Sequence, residues 1–160
     1  AGFFVFPLFI LTFLCEDKIY MVDRISEERR SWNMSRIRSK NTQPEMIVRK
    51  MLHKNGIRYR LHVKDLPGKP DLSNKKKKFA IFVNGCFWHR HKGCKDFVVP
   101  KTRTEWWIEK INKNVERDKN NIKKLKNRKW KIFVVWECEL KTEKMEHTLF
   151  NLYEKITCQN

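Results

Sequence analysis

Acidic residues are scarce in this chain: 18 Asp and Glu stand against 36 Lys and Arg, a formal net charge of +18 over 160 residues. That deficit argues for a polyanionic partner, most simply DNA or RNA. An anionic membrane surface is the other option, and a lysine-rich genomic composition explains part of the bias. The chain has no internal repeat and no low-complexity tract beyond Lys75-Lys76-Lys77-Lys78, and its length suits one domain with a real core. It also lacks an apolar run of the ~20 residues that would span a bilayer. The longest, residues 3–15, is broken by Pro7 and Thr12 and has no positive n-region, so it makes a poor signal peptide. Met21 is followed by ordinary soluble sequence. The expectation is that translation naturally starts there and that residues 1–20 are a leader outside the fold, with a hydrophobic anchor as the alternative. The five cysteines are an odd number in a chain too large to need disulfide staples. Cys86, Cys94 and Cys138 sit in motif-like settings and Cys15 and Cys158 lie near the ends, which fits a reducing compartment and a metal site better than a disulfide framework.

What is present reads as alternating helices and strands. Ser26 is a weak cap opening a basic stretch with Arg29, Arg30, Arg36, Arg38 and Lys40. With only Trp32, Met34 and Ile37 as apolar residues, residues 21–41 are expected to form a DNA-facing arm ordered mainly on its partner. Thr42-Gln43-Pro44-Glu45 is a capping box with proline in the first turn, and it predicts a helix over 43–55 closed by Gly56. Alternation over 57–63 predicts a half-buried strand, 70–72 a second, and the apolar run 79–83 a central third, with a lysine-rich turn over 73–78. Short connections make these an antiparallel meander. Thr102 or Thr104 is expected to cap a long helix reaching about Asn127, with Trp107, Ile111, Val115, Ile122 and Leu125 as its apolar stripe. A fourth strand over 131–136 should run parallel to a neighbour because a helix precedes it, and a helix over 143–156 closes the chain. The sum is an α/β domain around one mixed sheet.

The chemistry concentrates in Val83-Asn84-Gly85-Cys86-Phe87-Trp88-His89-Arg90-His91-Lys92-Gly93-Cys94. Cys86, His91 and Cys94 are soft ligands within nine residues, and Cys138 follows the fourth strand. If the third and fourth strands are neighbours, the four complete a closed tetrahedral Zn²⁺ site, which is structural. The alternative is a set of buried free cysteines beside a surface histidine. Asp71, after Pro70, lies on a strand expected to pair with the one that leads into the His89 loop, and Glu45 opens the preceding helix. That arrangement can gather a carboxylate, a backbone carbonyl and a histidine around Mg²⁺, with Asp71 as ligand and His89 as general base for phosphodiester hydrolysis. His89 could instead replace His91 on zinc or contact phosphate. Phe87 and Trp88, adjacent on a pinned loop, suit wedges between base steps, and Met34 could enter from the other groove. Alternatively, Trp88 covers the zinc site or either ring caps the core.

Taken together, Gly85-Cys86-Phe87-Trp88-His89, His91, Cys94, Thr102-Arg103-Thr104, Asn114-Val115-Glu116-Arg117-Asp118 and Val135-Trp136-Glu137-Cys138 resemble the very-short-patch mismatch repair endonucleases, the Vsr family. Leu66-Pro67-Gly68-Lys69-Pro70-Asp71, Trp32-Asn33-Met34-Ser35-Arg36-Ile37 and Lys40-Asn41-Thr42 are similar to it as well. The likeness covers roughly residues 21–140. It implies a restriction-endonuclease-like core of the PD-(D/E)XK type with a structural zinc, the endonuclease domain occupying 42–160. It implies Mg²⁺-dependent nicking of double-stranded DNA 5′ to the thymine of a T·G mismatch. It further implies a monomer, cytoplasmic and nucleoid-associated, linked to a DNA cytosine methyltransferase and to downstream repair proteins, with no membrane partner. By motif, Asp71 matches the metal-binding aspartate, His89 the catalytic histidine and Glu45 a supporting carboxylate. Cys86, His91, Cys94 and Cys138 match the zinc ligands, and Phe87, Trp88 and Met34 the intercalating residues. Lys110 and Asn114 fall where the family contacts the mismatched region.

The chain departs from the pattern at Val83-Asn84, where a family member carries Thr-His. Valine can still supply a backbone carbonyl to Mg²⁺. Asn84 can donate a hydrogen bond but cannot shuttle a proton near neutral pH, so activity would either be lower or rest on His89 alone. The loop also holds one more residue between His91 and Cys94. The rival readings are a related sequence- or structure-specific DNA nickase of the same fold and a zinc-stabilised DNA-binding module with weakened catalysis.

Overall fold

The computed structural model describes residues 20–21, 26–36, 38, 40–141 and 143–158. Apart from Tyr20, the leader expectations fall outside these residues. The chain order is β1 (Tyr20–Met21), α1 (Glu27–Arg36), α2 (Gln43–Lys54), β2 (Arg60–Leu61), β3 (Leu72–Asn74) and β4 (Phe79–Asn84). There follow β5 (Val98–Val99), α3 (Thr104–Asn127), β6 (Lys131–Trp136), a 3₁₀ turn over Glu137–Leu140 and α4 (Lys144–Thr157).

The main sheet runs β2-β3-β4-β6. The first three strands are the antiparallel meander expected from their short connections. The helical crossover through α3 makes β6 parallel to β4, in register from Phe79↔Lys131 to Asn84↔Trp136. Period-2 alternation along β4 then sorts its residues. Phe79 and Ile81 join Val48, Leu52, Leu72, Val135, Leu152 and Ile156 on the face covered by α2 and α4. Ala80 and Phe82 point the other way, to Leu66 and Leu125 under α3. With Leu72 and Ile81 fully buried, each such side chain contributes about 1.5–3 kcal/mol relative to exposure. A separate short parallel pair joins β1 to β5. No described helix is long and apolar enough to cross a membrane.

Four expectations need correction. The arm expected to gain order on its partner already contains a helix, α1, in the chain alone. Ser26 Oγ accepts from Arg29 N–H at 3.3 Å, and the described side chains of α1 are exposed or half-buried, as its shortage of apolar residues requires. The strand expected over 57–63 pairs only at Arg60–Leu61, and it ends there because His62 adopts left-handed backbone, φ 45. The lysine-rich turn begins later than expected, since Ser73 and Asn74 belong to β3. Neither Thr102 nor Thr104 caps α3. Arg103 holds the N-cap position at φ 55 without a side-chain cap bond, and Thr104 Oγ1 donates back to Lys101 O at 2.7 Å. Such local bonding competes with the capping geometry.

Candidate active site and metal centre

Strand register builds the candidate metal centre. Asn84 pairs with Trp136 at the ends of β4 and β6, so Cys86 and Cys138 both lie two residues past that pair. The loop turns back on itself through His91 N–H to Cys86 O, 3.0 Å, and Cys94 N–H to His91 O, 3.2 Å. One ligand atom from each of Cys86, His91, Cys94 and Cys138 lies within 4.8 Å of all the others. His91 Nδ1 is 3.5 Å from Cys86 Sγ and 3.4 Å from Cys138 Sγ. Tetrahedral zinc with ordinary Zn–S and Zn–N bonds needs an S···N edge of about 3.6 Å, so the donor set fits the ion. Burial first, and then the neighbouring Cys138 and Cys94, push the Cys86 thiol up to about 12; a bound cation supplies the charge that offsets this cost. The His91 ring is held flat against Trp136, 4.0 Å away at 1°.

The second centre surrounds Asp71, just before β3. Its Oδ2 accepts from Val83 N–H on the adjacent β4 at 2.8 Å. Burial raises its pKa above the usual carboxylate range and Glu45 adds to the rise, while the Val83 bond, His62 and His89 oppose it. Glu45 is itself buried, with both oxygens hydrogen-bonded. Oε1 accepts from Thr42 Oγ1 at 3.2 Å, and Oε2 from Asn41 N–H at 3.0 Å and Arg49 Nη2 at 2.8 Å. The capping box expected at Thr42 is therefore made, except that the glutamate reaches one residue farther back. His89 leaves the metal-ligand set and points its Nδ1 to Asp118 Oδ2 on α3, 2.5 Å away.

Asp71, Val83, Glu45 and His89 open into one cleft, which Met34, Asn84, Trp88, Lys110 and Asn114 also line. Its volume of about 1620 Å³ exceeds the roughly 300–1,000 Å³ of small-molecule pockets and suits a polymer. Trp88 faces the cleft and Phe87 packs edge-on behind it at 5.0 Å, both against Trp107 at 6.0 and 5.4 Å. Asn114 Nδ2 donates to Trp88 O at 3.2 Å. Lys110 Nζ lies over the rings of Trp106, Trp88 and Trp107 at 4.5, 5.5 and 5.6 Å, close enough for cation–π attraction.

Residues 22–96 match the family model described as DNA mismatch endonuclease Vsr. The type II nicking enzyme V.XorIIP of Xanthomonas oryzae pv. oryzae is 48% identical over 120 residues, 75% of this chain and 88% of the relative. DNA mismatch endonuclease Vsr of Escherichia coli (strain K12) is 42% identical over 121 residues, 76% of this chain and 77% of the relative. The chain belongs to the Vsr family.

In this Vsr-family chain the structure brings together every candidate site residue in one of two places, the four-ligand centre or the cleft and its aromatic backing. It also adds residues that the sequence alone did not single out for the site. Asp118 had a usable signal: Lys110, Asn114 and Asp118 recur at i, i+4 and i+8 on one face of α3. Trp107, read as core, also backs the aromatic pair. His62 and Arg49 carried no comparable signal, since each looks like an ordinary residue on an amphipathic element.

Proposed function

We propose that this member of the DNA mismatch endonuclease family nicks duplex DNA 5′ to the thymine of a T·G mismatch, in repair of deaminated 5-methylcytosine. The observation that carries the reading is the shared cleft: the Asp71 carboxylate, the His89–Asp118 pair and the Trp88 ring all open into it. On this reading the core is of the restriction-endonuclease-like PD-(D/E)XK type. Asp71 and the Val83 carbonyl would hold Mg²⁺, which when bound offsets charge on the scissile phosphate oxygens. Cys86, His91, Cys94 and Cys138 would hold a structural Zn²⁺ that stiffens the loop.

The chain's own residues do the remaining work. With Nδ1–H donated to Asp118, the His89 ring keeps its Nε2 lone pair for the proton of the attacking water, and Asp118 stabilises the imidazolium that results. Trp88, supported by Phe87 and Trp107, would wedge beside the mismatch while Met34 enters from the opposite groove. Lys110 would neutralise phosphate and Asn114 would hold the wedge in place. Glu45 supports the site through its hydrogen bonds to the arm rather than as a free ligand. The same proposal has the chain act as a cytoplasmic monomer.

The test is a pair of duplexes differing only in T·G against C·G, incubated with and without Mg²⁺. Nicking confined to the T·G duplex with Mg²⁺ is expected. Equal cutting of both would favour a related nickase of other specificity, a class to which the name of V.XorIIP also points. Binding without cutting would favour a DNA-binding module.

A further inference from the structure

A chain of polar contacts, buried at Arg49 and Glu45 and half-buried beyond them, runs from the end of the arm to Asp71. Arg49, on α2 and 7% exposed, donates from Nη1 to Asn41 Oδ1 at 2.6 Å and from Nη2 to Glu45 Oε2 at 2.8 Å. The same Nη2 lies 3.2 Å from His62 Nε2. On the other side of the ring, His62 Nδ1 lies 3.7 Å from Asp71 Oδ1. His62 reaches this position only by adopting left-handed backbone, φ 45, and its N–H donates to Asp71 O at 3.3 Å. A non-glycine residue held there is the kind of outlier that functional sites retain.

Proton inventory decides what the ring can do. A guanidinium has donors only and does not deprotonate in proteins. His62 Nε2 must therefore be the acceptor, and a protonated Nε2 would set N–H against N–H. The ring proton of the neutral imidazole is then on Nδ1, facing Asp71 Oδ1. Neither nitrogen has a lone pair left for a cation, since one is given to Arg49 and the other carries hydrogen. Although Glu45, His62 and Asp71 are close enough to suggest a cation cage, both Glu45 oxygens already accept hydrogen bonds and His62 is turned donor-first.

We propose that His62 is a positioning residue for nicking: Arg49 locks it as the Nδ1–H tautomer, and that N–H restrains Asp71 Oδ1 while Val83 N–H restrains Oδ2. Closing the remaining gap to ordinary hydrogen-bond length takes a shift of about 0.8 Å. Because Arg49 also holds Asn41, the seating of the DNA-facing arm and the seating of Asp71 share one guanidinium. The inference rests on the reading of Asp71 as the cation-holding carboxylate.

The first test is independent of activity. Long-range ¹H–¹⁵N spectra of the protein without Mg²⁺ should show His62 with protonated Nδ1 and bare Nε2, and the opposite tautomer would overturn the proposal. The second test compares His62→Leu with His62→Asn, whose amide can present N–H near the Nδ1 position. In His62→Leu, kcat for the T·G duplex should fall about 10–100-fold with little change in KM, as expected when a reacting group is misplaced rather than substrate lost. Mn²⁺ binding followed by electron paramagnetic resonance should weaken in parallel, and His62→Asn should recover most of both losses. An unchanged kcat in His62→Leu, or an asparagine variant no better than leucine, would sink the proposal. Full activity in Asp71→Asn would remove the reading of Asp71 itself, whereas an inactive Asp71→Asn beside a fully active His62→Leu would remove only the role of His62.

Discussion

Asp118 Oδ2 meets His89 Nδ1 across 29 residues of sequence, fastening the middle of α3 to the loop that follows β4. The bond fixes which ring nitrogen faces the cleft. Replacing Asp118 with Asn lets the ring adopt the wrong tautomer and removes the anion beside the developing imidazolium. Single-turnover nicking should slow by about 10²–10⁴-fold, the range for losing a positioned general base. Fluorescence anisotropy on the same duplex should show nearly unchanged binding. A variant that nicks at the wild-type rate would exclude Asp118 from proton transfer.

Asp71 holds a half-buried negative charge that the fold disfavours, since burial and then Glu45 raise its pKa. A carboxylic acid whose folded value lies above its unfolded value stabilises the fold below the unfolded value, and that contribution is lost as pH rises through the folded one. Asp71→Asn avoids the loss. Without added divalent cation, its melting temperature should exceed that of the parent at neutral pH, with the difference shrinking below about pH 4, the ordinary aspartate value. Nicking should be abolished while binding persists. A melting temperature lowered at neutral pH would contradict the burial argument.

Of the four candidate ligands Cys138 is the most distant in sequence, reaching His91 across 47 residues. Cys138→Ser should reduce zinc measured by mass spectrometry well below the one ion per chain expected of the parent. Thermal stability should drop by several degrees, because the closing ligand couples two strand ends. Protein purified without chelator that contains no zinc would overturn the assignment of this centre.

Lys110 sits over three indole rings at the cleft. Lys110→Ala should weaken duplex binding and reduce the slope of log affinity against log salt by about 1, the signature of one lost phosphate contact. An unchanged slope would assign Lys110 to packing of the aromatic cluster instead.

The legible parts of this molecule were those written in local spacing. Thr42 and Glu45 announce α2 because their bonds span three residues. Cys86, His91 and Cys94 announce a candidate metal centre through local spacing as well, whereas Cys138 joins them only if β4 and β6 are neighbours, which the sheet supplies. His62 was illegible because its role depends on a left-handed φ that no glycine signals and on Arg49 from another element. Asp118 was half legible, since helical spacing placed it on the right face and only the tertiary fold brought His89 to it. The start of α3 was misread because Thr104 bonds backward to carbonyls instead of forward to free amides.

The parallel pairing of β4 with β6 turns the four-ligand centre into a length gauge. Cys86 and Cys138 stand at equal distance past the Asn84–Trp136 pair. One residue gained or lost within either strand would displace a thiol by about 3.3 Å and turn it to the opposite face. Neither strand can change length without the other. The turn at Gly93, with φ +69 and open space where a side chain would go, is under no such restraint. Variation in loop length at this end of the sheet should therefore collect between His91 and Cys94, leaving untouched the spacing that aims Trp88 and His89.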